Sequence, residues 1–148
     1  MLVTTETFDV AMVVSATQAA AGVAGPLNGV KMHLFTNNPA LAKQMLLGAF
    51  TEPTYGSYAA QAVTFGAAKR DAQGNISTDT GQVIWQETGT PLATTVNGYF
   101  LTNTAGTTLL AAEYFPTPQN LVDLLSSFWV VAEWSANNAA AGQCQVGS

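Results

Sequence analysis

The sequence predicts an all-β fold, a β-sandwich or open β-barrel with one short helix and an N-terminal arm, and three observations predict it. Apolar and polar residues alternate with a period of two in "GVKMHLFT", "AQAVTFG" and "GQVIWQETG". The stretch "NGYFLTNTAGTTLLAAEYF" places two apolar runs around a Thr/Asn/Gly tip. No heptad run, fixed-period repeat or low-complexity linker divides the 148 residues, a length that suits one domain with its own core.

The chain opens on an apolar series, Leu2, Val3, Phe8, Val10, Met12, Val13 and Val14, followed by the Ala/Gly-rich "AAAGVAG". We read residues 1–29 as an arm and residues 30–148 as the β-sandwich domain. A terminal segment stays ordered only when something ties it down, and an added strand on a neighbour's sheet would do so. Leu2, Val3, Phe8, Val10, Met12 and Val14 are therefore the expected partner contacts.

Val30, Met32 and Leu34 alternate with Lys31, His33 and Phe35, which predicts a half-buried strand. Asn38 before Pro39 reads as an N-cap with proline at the first helical position, so a helix of about two turns is expected over "ALAKQMLL" up to Gly48. The segments 60–66 and 81–89 read as two strands of a meander, with Val83 and Trp85 on one face and the polar "KRDAQGNIS" as the turn between them.

In the hairpin, Val96, Gly98 and Phe100 are expected to share faces with Leu110, Ala112 and Tyr114 across Ala105 and Gly106. Leu121, Leu124, Leu125 and Phe128 fit a helical stripe while "FWVVAEW" is strand chemistry, and a closing strand from about Ser127 is favoured.

Charge is scarce. Charged residues make up 9% of the chain, against about 25% in an ordinary soluble domain. The surface must be largely Thr, Ser, Asn, Gln, Gly and Ala, which cost little to desolvate and suit permanent assembly. Four Lys and Arg against nine Asp and Glu give a net charge of −5, so direct nucleic-acid binding is not expected.

The uncharged run from Val10 to Val30 holds Ser, Thr, Gln, Asn, three Gly and a Pro, which argues against a membrane span. The first thirty residues carry no Lys or Arg, so export by a signal peptide is not expected either.

Chemistry has few candidates. His33 is the one histidine, no G-x-S-x-G elbow is present, and the expected place for His33 is a strand surface facing solvent or a neighbouring subunit. One cysteine, Cys144, cannot form an internal disulfide or a zinc shell, and no cofactor is expected. The loop Asp71–Asp79 has oxygen ligands but lacks the spacing of a calcium hand. Glu52, Glu87, Glu113 and Glu133 stand singly along the chain.

"VKMHLFTNNP", "AFTEPTYGSYAAQAVTFG" and "NGYFLTNTAGTTLLAAEYF", spanning about Val30 to Phe115, together resemble a family of small β-rich virion proteins of tailed bacteriophages. In that family a strand ending in Leu-Phe-Thr-Asn leads to a Thr-Glu segment with Gly and Tyr, then to a Gly-Tyr-Phe strand and an Ala-Gly-Thr hairpin. Relatives begin with a more helical segment, whereas "TETFDVAMVV" here is richer in β-formers.

The resemblance implies a capsid decoration or cement protein without catalytic residues, forming a homotrimer on the major capsid protein. It would be assembled in the host cytoplasm and sit on the capsid surface of the virion. A tail, neck or fibre-attachment subunit is the structural alternative. A carbohydrate-binding sandwich is another, with exposed Tyr55, Tyr58 or Tyr99 stacking on sugar rings, and an enzyme using His33 is a fourth.

Overall fold

The computed structural model describes residues 3–4, 29–67, 69–70, 72, 76–86, 94–121, 127–136 and 145–147. These form β1 (Val3–Thr4), β2 (Val30–Phe35), β3 (Gln61–Val63), β4 (Lys69–Arg70), β5 (Ile76–Asp79) and β6 (Val83–Gln86). They continue as β7 (Thr94–Thr102), β8 (Leu109–Leu121), β9 (Ser127–Val131), β10 (Glu133–Ala136) and β11 (Gln145–Gly147). Among the described residues the fold is all-β and antiparallel, with no closed barrel.

A five-stranded sheet runs in the order β1-β8-β7-β2-β3, and two three-stranded sheets run β10-β5-β4 and β11-β9-β6. The two smaller sheets are joined through bent strands. Between β5 and β6 the chain turns at Gly81, whose φ of 66° suits a residue without a Cβ. Beside it, Thr80 N–H donates to the Ala132 carbonyl and Ala132 N–H to Thr80 Oγ1, both at 3.1 Å. A side-chain oxygen thus replaces a backbone acceptor where β9 passes into β10.

The main core lies between the large sheet and this bent pair. Val30, Met32, Leu34, Val96, Tyr99, Leu101 and Phe115 meet Val83, Trp85, Phe128, Val130 and Ala132. The arrangement is sandwich-like, as the alternation requires when one face of each sheet is buried. The other face of the large sheet carries a second cluster of Phe35, Phe100, Leu109 and Ala112, covered by Leu41, Met45, Leu47 and Phe50. Those covering residues belong to a strap, residues 36–60, which explains why Phe35 is buried on the side expected to be polar.

The two-turn helix expected over Ala40–Leu47 is not formed, and a single 3-10 turn, Leu47–Ala49, stands at its end. So short a helix is marginal without tertiary support, and here the chain is pinned extended at both ends. Thr36 N–H donates to the Thr51 carbonyl at 2.9 Å. The Asn37 amide donates to Ala49 O at 2.7 Å and its Oδ1 accepts Thr51 N–H at 3.0 Å. Asn38 Oδ1, the expected cap, accepts from Asn97 Nδ2, while the Pro39 carbonyl accepts the Tyr114 hydroxyl.

The hairpin of β7 and β8 forms across the expected tip, with Gly106 at φ 75°. Its faces differ from expectation. Gly98, Phe100, Ala112 and Tyr114 face the strap, whereas Val96 and Leu110 lie in the main core. Two ladder irregularities cause this. Leu101 pairs with Ala111 and Thr102 with Leu109, leaving Leu110 as an extra residue; Val96 pairs with Gln119 but Gly98 with Tyr114. The second interruption contains Pro116 and Pro118, which cannot donate to a ladder. Each irregularity moves the side chains beyond it to the other face.

The expected meander is also corrected. β3 pairs with β2, β6 pairs with β9, and the "polar turn" contributes β4 and β5, which pair with each other. Gly66 is drawn onto the second layer because its N–H donates to Asp79 O at 2.8 Å and its carbonyl accepts Thr78 Oγ1 at 2.6 Å. Alternation identifies a face, and it does not choose a partner. The closing strand expected from Ser127 is β9.

In the arm, Val3 and Thr4 pair with Ala112 and Ala111 of the same chain. The remaining arm contacts expected at Leu2, Phe8, Val10, Met12 and Val14 lie outside the described residues.

Candidate functional site

His33 is placed by β2 on the strap side of the large sheet, and its side chain is 11% exposed. It therefore does not face open solvent. Its ring stacks on Phe100 of β7, with centroids 4.6 Å apart and planes 10° from parallel. These two residues are Cα partners across the ladder, which brings the rings into register.

Both ring nitrogens have partners. Nδ1 lies 3.1 Å from Glu52 Oε2 on the strap, and Nε2 lies 3.0 Å from Thr102 Oγ1 on β7. The same Glu52 oxygen accepts the Tyr58 hydroxyl at 2.5 Å, and that hydroxyl accepts Leu34 N–H at 3.0 Å. Burial, then the hydrogen bond to Glu52, pushes the Tyr58 phenol far above its ordinary range, so it remains a donor.

The line Glu52–His33–Thr102 has the connectivity of a carboxylate, a base and a hydroxyl. Its chemistry is different. Thr102 is 0% exposed, and its Oγ1 also lies 3.1 Å from the Asn103 carbonyl, to which it donates. A buried hydroxyl committed to a carbonyl has no approach for an acyl or glycosyl centre.

A second polar group lies inside the main core. Glu113, the one charge of the hairpin stretch, is 1% exposed, and Tyr99 Oη donates to its Oε2 at 2.8 Å. The sequence held a signal for this: Ala111, Glu113 and Phe115 alternate on one face of β8, so an inward face carrying Phe115 also turns Glu113 inward. The partners of His33 left no such signal, because Glu52 and Tyr58 reach it through a strap whose path is not periodic.

The tyrosines considered for sugar stacking are not available for it as a platform. Tyr55 and Tyr99 are 3% and 0% exposed, and Tyr58 is half-buried with its hydroxyl engaged. No group of three or more His, Cys, Asp or Glu able to hold a metal occurs among the described residues. In the acidic loop, Asp79 instead accepts Gly81 N–H at 2.9 Å and Lys69 Nζ at 3.3 Å. Those contacts, the backbone N–H foremost, hold its carboxyl below the usual range.

No helix among the described residues is long and apolar enough to cross a membrane. Comparison of the chain with family models, curated proteins and solved structures returned no match.

Proposed function

We propose that the protein is a structural subunit of a tailed-phage particle, a decoration or cement protein that associates with itself as a homotrimer and with the major capsid protein. The observation that carries this reading is how the three motifs of the resemblance use their polar residues: they bond to one another. Glu52 and Tyr58 of the second motif fasten His33 and Leu34 of the first. Asn97 of the third motif donates to the carbonyls of Thr36 and Asn37 at 2.7 and 3.2 Å. Asn103 Oδ1 accepts the N–H groups of Thr107 and Thr108, shaping the hairpin tip.

Catalytic sites aim polar groups at space a substrate can fill. Here they fix a backbone, as a subunit whose work is contact requires. The surface offers apolar points for such contact, with Leu46 75% exposed on the strap and Ile84 62% exposed beside its ladder partner Trp129. The low charge supports the same reading, since neutral surface is desolvated cheaply.

A reconstruction of purified particles, with copy number from quantitative mass spectrometry, tests the proposal. Copies in the hundreds on the shell are expected. A few to dozens on the tail or neck would make it a tail, neck or fibre-attachment subunit, and absence from particles overturns the reading.

A further inference from the structure

Asn97 stands where both ladders of β7 step over one residue. β2 ends at Phe35, opposite Gly98, and the register with β8 breaks between Val96 and Gly98. The Asn97 side chain reaches from this gap to the start of the strap: its Nδ2 lies 2.7 Å from the Thr36 carbonyl, 3.2 Å from the Asn37 carbonyl and 3.3 Å from Asn38 Oδ1. Carbonyl oxygens only accept, so a group with protons to give must stand there. These bonds form the root of the strap, where it leaves β2.

The residue that follows is glycine. With no Cβ beside it, the Gly98 nitrogen is open to approach the Asn97 Cγ. A bond between that nitrogen and Cγ forms, the Cγ–Nδ2 bond breaks, and the amide leaves as ammonia with the proton that Gly98 gives up. Water then opens the resulting succinimide to aspartate or isoaspartate. Attack needs the two reacting atoms within about 3–3.5 Å of each other. An extended strand turns each side chain out of the backbone's path, and the bonds to the strap hold the Asn97 amide in that direction.

We propose that Asn97 and Gly98 form a deamidation site gated by the strap: silent while the strap root is fastened, reactive once it opens, and unable to fasten again afterwards. Aspartate sets a carboxylate oxygen where Nδ2 stood, against two carbonyl oxygens with no proton to give. Isoaspartate adds a methylene to the backbone between Val96 and Gly98 and puts β7 out of step with its neighbours. An opening that lasts long enough is thereby made permanent, as when an unfolded chain is modified faster than it refolds. The cover lost is that of the apolar bed of Phe35, Phe100, Leu109 and Ala112.

Peptide mass mapping of the intact protein, aged at mildly alkaline pH with and without denaturant, tests the gate. The mass gain of an acid over an amide at Asn97 should appear at least about tenfold more slowly in the folded protein. In denaturant Asn97 should keep pace with Asn28, the other asparagine that precedes a glycine. Equal rates with and without denaturant overturn the gate. Amide exchange in Asn97→Asp, which has the chemistry of the product, tests the loss of fastening. Protection of Thr36 N–H and Thr51 N–H, relative to central amides of the β7–β8 ladder, should fall roughly tenfold. Protection equal to the parent's overturns the proposal. If Asn97→Asp does not fold, Asn97→Ala, which removes the donor without adding a charge, takes its place with the same fall expected and the same result overturning it.

Discussion

Tyr99 and Glu113 are Cα partners on β7 and β8, and the tyrosine hydroxyl reaches the glutamate Oε2 at 2.8 Å inside the main core. A carboxylate placed there is stable only with hydrogen-bond donors around it. Tyr99→Phe removes one donor while leaving the ring volume unchanged. Chemical denaturation should show a loss of about 1–3 kcal/mol. Unchanged stability would mean that this bond contributes little to holding the buried carboxylate.

Gly98 is the position on β7 least able to take a side chain. A Cβ there would lie 2.2 Å from the Glu113 carbonyl oxygen and 2.6 Å from Phe35 Cζ. The Phe35 ring occupies the space that a cross-strand side chain would otherwise fill. Gly98→Ala should destabilise by about 2–4 kcal/mol, read as a lowered denaturation midpoint, whereas an alanine at Gly48, with nothing within 4 Å, should not.

Asp79 carries a pH prediction. Its carboxyl is held low when folded, first by Gly81 N–H and then by Lys69, against an outward push from desolvation. A depressed carboxylate stabilises above its unfolded pKa, and that contribution is lost as pH falls through the folded one. Asp79→Asn should therefore be less stable than the parent near neutrality, with the difference closing in acid. A gap that persists at the lowest pH where the parent stays folded would count against the charge as the cause.

At the other end of the scale, Tyr58 stays a phenol at pH values where it would ionise in the unfolded chain, about 10. Raised in the folded state, it stabilises fully below that value and progressively loses the contribution as pH rises further. Tyr58→Phe should lessen the alkaline fall in thermal midpoint, which a series of melts from neutral to alkaline pH would measure.

Self-association, on the structural reading, rests on neutral and apolar contacts. Sedimentation should give the same oligomer at low salt and at about 1 M salt. Dissociation at high salt would assign the contact to the few charges instead.

The strands were legible where burial imposes a period of two. Val30, Met32 and Leu34, and Val83 with Trp85, follow from alternation, and the β7–β8 hairpin from two apolar runs around its tip, although its faces do not. Pairing was not legible between β6 and β9, because Trp85 facing Phe128 depends on two layers meeting and not on neighbouring sequence. The strap was misread because Asn37, Asn38 and Pro39 have the chemistry of a helix start, and only the distant Asn97, Thr51 and Tyr114 convert them into anchors. His33 was identifiable as the one candidate base, but its partners lie 19 and 69 residues away.

Pro116 and Pro118 interrupt β8 where, among the described residues, β1 no longer flanks it, since β1 reaches only Ala111 and Ala112. Most soluble β-proteins keep such a margin from pairing with a stranger by planting lysines or glutamates along it. A chain with 9% charged residues has few to plant. Pro116 and Pro118 bring no amide protons here, so this part of β8 has two fewer donors to offer any neighbouring strand, a property of the backbone that neither salt nor pH alters.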